Sequence, residues 1–116
     1  MYVDGFVVPV PKKNLDEYRK MAKLGAKLWM QYGALSYVET IADDVKKGKL
    51  TSFPQSVNLK PNEVVAFSFI TYKSRRDRDR VNKLVMNDPR MKSFEKTMPF
   101  DGKRMIFGGF KAIVEK

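Results

Sequence analysis

Six polar side chains stand in stretches that otherwise read as strands: Asp4 in the first, Tyr37 and Glu39 in the second, Ser68 and Tyr72 in the third, and Arg104 in the last. A buried polar group must be hydrogen-bonded or put to use, because leaving it unpaired costs about 1–3 kcal/mol. Gathered in one pocket, these carboxylates, phenols and guanidinium would suit a polar aromatic or carboxylate-bearing metabolite. In that reading Asp4 or Glu39 is the base, Arg104 stabilises a developing anion, and Tyr37 or Tyr72 donates a proton. A structural reading stands beside it. The first and fourth strands of the expected sheet are neighbours, so Asp4 and Arg104 would form an ion pair at a sheet margin or across a dimer interface. Trp29 and Tyr32, with Met30, also read two ways: as core packing at helical spacing, or as the lining of a cleft between helix and sheet.

A second candidate surface is basic. The chain carries 23 Lys and Arg against 13 Asp and Glu, a formal charge of +10. A field of that sign draws nucleic acid, anionic lipid or acidic metabolites. Lys73, Arg75, Arg76, Arg78, Arg80 and Lys83 crowd the start of the second expected helix, offset by Asp77 and Asp79, and Lys46, Lys47 and Lys49 share a turn. These groups could contact phosphates, helped by free N–H groups at the helix N-terminus. The alternative is a solvated helix face laced by Arg75–Asp79 and Asp79–Lys83 pairs at i, i+4. No aromatic stacking platform is interleaved with the charge, so a nucleic-acid or acidic-partner module ranks behind the small-molecule pocket.

Absent residue types bound the chemistry. There is no cysteine and no histidine. Disulfide frameworks, thiolate zinc, iron–sulfur ligation and thiol nucleophiles are therefore excluded, as are Ser-His-Asp catalysis and imidazole ligation. Asp43 and Asp44 are adjacent in a turn, and Asp77 and Asp79 point to different sides of a helix, so no metal site is expected. Gly108-Gly109 lies in a strand pattern and opens no helix, which excludes a dinucleotide fingerprint and suggests a bulge or a close backbone approach. With no cofactor expected, an enzyme built on this chain would use cofactor-independent chemistry on an aromatic or enolisable substrate. The start MYVDGFVVPVP has no basic leader and breaks at Pro9 and Pro11, and no apolar run approaches the roughly 20 residues that span a bilayer. A cytoplasmic location and no membrane are expected.

The elements that must position these groups follow from periodicity. Residues 2–10 read as a strand closed by prolines. Asn14 is placed to cap a helix with Asp16 and Glu17 in its first turn, and Leu15, Tyr18, Ala22, Gly25, Trp29 and Tyr32 form one face as far as Gly33. Residues 34–42 read as a second strand. A long connection, 43–62, follows, with a possible strand extension over Leu50–Phe53. Residues 64–72 form the strongest strand. Ser74 opens a helix with Asp77 as the capping-box acid, Val81, Leu84 and Val85 inward, and an end near Asn87. Asp88-Pro89 breaks it, Met91–Phe94 makes a short turn of helix, residues 98–102 turn, and 103–114 form the last strand. The order βαββαβ predicts one α+β domain over 1–116. Its architecture is ferredoxin-like, a four-stranded antiparallel sheet with two helices on one face.

Both faces of that sheet are apolar. Val65, Phe67 and Phe69 oppose Val64, Ala66, Ile70 and Tyr72, and Ile106 and Phe110 oppose Met105 and Phe107. Two helices cover one face, so a second copy is expected on the other, giving a homodimer. Folding of the 43–62 connection over the open face is the alternative. The segments YVDGFVVPVPKKN, GALSYVE, TSFP, YKSRRDRDRVN and MPFDGKRMIFGGF, spread over essentially the whole chain, resemble the YbaA-like family of small bacterial proteins of unknown function. The resemblance implies a dimeric α/β-barrel subunit and no established activity.

Overall fold

Strand alternation sorts the apolar side chains onto two faces. The computed structural model describes residues 1–93 and 98–116. Its strands β1 (Tyr2–Pro11), β2 (Ser36–Ile41), β3 (Glu63–Tyr72) and β4 (Ile106–Lys111) form one antiparallel sheet in the order β2-β3-β1-β4. The central pair runs in register from Tyr2 opposite Tyr72 to Pro11 opposite Glu63. Period-two geometry therefore puts Phe6, Val8 and Val10 on the same side as Ala66, Ile70 and Tyr72.

That side is covered by helices α1 (Leu15–Tyr32) and α3 (Arg75–Met86). α1 buries Tyr18, Ala22, Gly25, Leu28 and Trp29, and Gly33 ends it with φ +120°, its N–H turned back to Met30 and Trp29 carbonyls. Asn14 occupies the cap position, but its amide donates to Pro99 O at 3.0 Å instead of capping. Ser74 does cap α3, accepting Asp77 N–H at 3.1 Å. Leu28 and Trp29 of α1, Val81 and Val85 of α3, and Ile70 and Tyr72 of β3 close one core cluster. Leu84, expected inside, is half-exposed. The short helix after Asp88 is α4 (Pro89–Lys92), two residues earlier than expected, with Asp88 Oδ1 accepting Arg90 N–H at 2.8 Å. Phe94 lies outside the described residues.

The opposite face is partly covered by the 43–62 connection. Leu50–Phe53 does not extend a strand: Leu50 is 99% exposed, and Phe53 begins a one-turn helix, α2 (Phe53–Ser56), capped by Ser52 and primed by Pro54. Behind it Val57 buries against Val7 and Val65, and Phe53 meets Phe67 edge-on at 5.8 Å. Beyond this strap the face stays open, with Ile106 45% and Phe110 62% exposed. β4 is also shorter than 103–114. Asp101 accepts Lys103 N–H at 3.0 Å and folds Gly102–Arg104 into a 3₁₀ turn, and the ladder with β1 pairs only from Ile106 to Lys111.

Candidate functional site

Tyr37 and Glu39 leave the edge strand β2 on its helix side, because Tyr37 pairs with Ile70 and Glu39 with Ser68, both on the covered face. α1 presents Tyr18 to the same spot. Tyr18 Oη donates to Glu39 Oε2 at 2.7 Å and Tyr37 Oη to Glu39 Oε1 at 3.2 Å. One carboxylate thus gathers two phenols from two elements. The three side chains border a cavity of about 480 Å³ between α1 and β2, with Leu15, Ala22, Ala26 and Ile41 as apolar wall. Arg19, Lys23 and Asp16 stand at the same cavity, on the turns of α1 that carry Tyr18 and Ala22.

The electrostatics of this group follow from its burial. Burial pushes the Glu39 carboxyl above its ordinary value of 4.5, against the downward pull of the two phenol hydrogen bonds. Burial and the neighbouring Glu39 together hold Tyr18 and Tyr37 well above the ordinary phenol range. The phenols therefore stay neutral donors, and Glu39 is the proton acceptor between them. Burial thus raises the affinity of this carboxylate for a proton.

Asp4 and Tyr72, both buried, belong to a separate network between β1, β3 and α3. Tyr72 Oη donates to Asp4 Oδ2 at 3.0 Å, Asn82 Nδ2 approaches the same oxygen at 3.4 Å, and Trp29 Nε1–H reaches Asn82 Oδ1 at 2.9 Å. The guanidinium facing Asp4 is that of Arg78, with Nε 3.4 Å from Oδ1, and Arg78 also donates to Tyr2 Oη at 2.9 Å. Within the subunit the expected Asp4–Arg104 pair does not form. β1 sets Asp4 opposite Gly109, while Arg104 lies in the turn before β4, at the far end of the sheet. There Arg104 holds Glu63 through two bonds, Nη1–Oε1 at 2.8 Å and Nη2–Oε2 at 2.6 Å, and donates to Asn58 O at 3.0 Å. Arg104 is a clamp on the strap, and the Glu39 cavity does not include it.

A family described as "Protein of unknown function (DUF1428)" matches residues 1–102. The chain belongs to this family. It is 52% identical over 115 residues to the proteins named "Uncharacterized protein YbaA" of Escherichia coli K12 and of Shigella flexneri, covering 99% of this chain and 98% of each of those. The family therefore agrees with the one that MPFDGKRMIFGGF and its companion segments resemble.

Of the residues singled out from sequence, Tyr37 and Glu39 meet at the cavity, Asp4 and Tyr72 meet elsewhere, and Arg104 stands apart. Tyr18 is a cavity residue that the sequence pattern hides, because it sits on the apolar stripe of α1, where an aromatic is usually core. Its hydroxyl, which needs a partner when buried, is the available signal. Arg19 and Lys23 read from sequence as solvent face. The basic residues fall into two patches. Lys46, Lys47 and Lys49 follow the Ile41 end of β2, which pairs with Ala66, whereas Arg75, Arg76 and Arg80 follow the Tyr72 end of β3. Arg75 lies 3.9 Å from Asp79, and Arg80 lies 3.8 Å from Asp77 and also donates to Tyr32 O. Asp79 is held by Arg78 at 3.1 Å, and among the described residues no Asp79–Lys83 pair forms.

Proposed function

We propose that this chain is a ferredoxin-like subunit of a homodimer of the dimeric α/β-barrel kind. Each subunit binds a small carboxylate-bearing aromatic or enolisable metabolite in the α1–β2 cavity and moves a proton through Glu39. The observation that carries this reading is the Glu39 carboxylate, half-buried and bonded by two phenols of different elements, at a cavity large enough for a metabolite. Arg19 and Lys23 support the anionic end of the ligand. Both stand at the cavity, and among the described residues neither is in an ion pair. The strand order and the open apolar face support the ferredoxin-like and dimeric parts.

The step needs no oxidant or co-reactant. A proton passes from the carbon beside a carbonyl to Glu39, the electron pair moves to the carbonyl oxygen, and Tyr18 or Tyr37 hydrogen-bonds the resulting enolate. Return of the proton to the same or a conjugated carbon restores the carboxylate. Exchange of the side-chain CH₂ protons of an arylpyruvate into deuterated water, followed by proton NMR, tests this directly. The wild-type protein is expected to accelerate exchange, and Glu39→Gln to lose at least about 100-fold of that rate. Equal exchange with both proteins would remove the reading.

A further inference from the structure

We infer that Gly25, in the middle of α1, is a positioning residue for the Glu39 site: its missing side chain is the seat that lets the Tyr37 phenol reach Glu39. Glycine inside a helix is costly relative to alanine, so a buried one at this point calls for a reason in its surroundings. Gly25 is buried. A Cβ built on it would lie 2.8 Å from Tyr37 Oη and 3.3 Å from Tyr37 Cζ, both inside ordinary van der Waals separation. The ring cannot simply retreat toward the sheet or along the helix. Tyr37 sits opposite the buried Ile70, and Trp29 lies against it with ring centroids 5.9 Å apart. The direction left open is the cavity itself.

A side chain at position 25 would therefore push the phenol toward the ligand space and break its 3.2 Å bond to Glu39 Oε1. Glu39 would keep Tyr18 alone, and the cavity would change shape. Positions 25 and 37 act as a size pair that sets both how many phenols Glu39 holds and how deep a ligand can sit. The groups facing Glu39 are Tyr18, Arg19, Lys23 and Asp16 from α1, Tyr37 from its own strand, and Ser68 across the ladder on β3. Loss of the Tyr37 bond removes one of the two interactions that pull the Glu39 carboxyl down against burial, so its titration midpoint rises.

This inference rests on the α1–β2 cavity being the site, yet the coupling is measurable without any ligand. The experiment is a cycle of Gly25→Ala, Tyr37→Phe and the double variant, read by thermal unfolding and by carbon-13 NMR titration of the Glu39 carboxyl. An ordinary buried helical Gly→Ala change would raise Tm by about 3–5 °C in either background. The seat requires instead that Gly25→Ala be more favourable in the Tyr37→Phe background than in the wild type, by at least about 3 °C, since the phenol oxygen is the closest atom. It also requires that Gly25→Ala raise the Glu39 midpoint in the wild-type background and add nothing once Tyr37→Phe is present. An equal Tm effect in both backgrounds, or a midpoint that Gly25→Ala leaves unmoved, overturns the inference. Should Gly25→Ala fail to fold, recovery of soluble protein in the double variant supports the seat, and failure of both overturns it. Intact coupling with no arylpyruvate exchange would sink the proposed chemistry and leave the seat standing.

Discussion

Glu39 on one side and Glu63 and Asp88 on the other pull stability in opposite directions with pH. The Glu39 carboxyl is raised by burial, so its protonated form is favoured by folding. Its contribution is fully present below the unfolded value and is lost as pH rises through the folded one. Glu63, held down by Arg104, and Asp88, held down by Arg90 and Tyr32, contribute stability above their unfolded values and lose it as the solution becomes acid. Glu39→Gln is therefore expected to gain stability relative to wild type at pH 7, and to lose that advantage on going to pH 4, in urea unfolding followed at both values. Tyr72→Phe removes the hydroxyl that Asp4 Oδ2 accepts and should cost about 1–3 kcal/mol. Gly109→Ala should cost a similar amount, about 1–3 kcal/mol, because its Cβ would collide with Arg78 Nη2 and Tyr2 Oη. Thermal denaturation of both variants checks the pair. The sequence pattern read Gly108-Gly109 as a bulge or a close backbone approach; both glycines pair in continuous register with β1, and the groups crowding Gly109 are the Arg78 guanidinium and the Tyr2 hydroxyl.

At the scale of elements, the strap is the part that local pattern could not supply. β1, α1, β2, β3 and α3 are all readable within a few residues, because each carries a period or a cap of its own: Val8 and Val10 against Val7, Tyr18 with Ala22, Ser74 with Asp77. The strap and the start of β4 depend instead on partners far along the chain. Val57 has no periodic context and is buried by Val7 and Val65, and Arg104 is drawn out of the strand by Glu63, 41 residues away. For the same reason the guanidinium beside Asp4 differs from the expected one: neighbouring strands suggest Arg104, while helix packing supplies Arg78. Val57→Ala deletes two methyl groups from a fully buried position and should destabilise by about 2–3 kcal/mol. Limited proteolysis of that variant should cut within residues 43–62 before any other segment, since the strap loses its anchor while the sheet keeps its ladder. Cleavage first in α3 would contradict this division.

For the whole molecule, the proposed assembly rests on the open face and the proposed activity on the cavity. The sequence anticipates that both sheet faces are apolar, and the strap covers only the end near Val7 and Val65, leaving Ile106 and Phe110 toward solvent. A second copy on that face follows from the proposed dimer, and light scattering should return twice the 13.4 kDa subunit mass at micromolar concentration. Phe110→Glu places a charge on the open apolar face and should weaken the proposed dimer by about 30-fold or more. What the sequence left open was which polar residues share a site, because that depends on the facing of α1 against β2. The pairing of Tyr18 with Glu39 joins two elements through a single hydrogen bond. Chemical-shift mapping of the amide spectrum during titration with an arylpyruvate tests most directly whether the Glu39 cavity binds such a ligand. The expected result is a saturable set of shifts confined to Tyr18, Arg19, Lys23, Tyr37, Glu39 and their chain neighbours, lost in Glu39→Gln with Arg19→Gln. Saturable shifts centred on Arg75, Arg76 or the 46–49 turn, or no shifts at millimolar ligand, would contradict it.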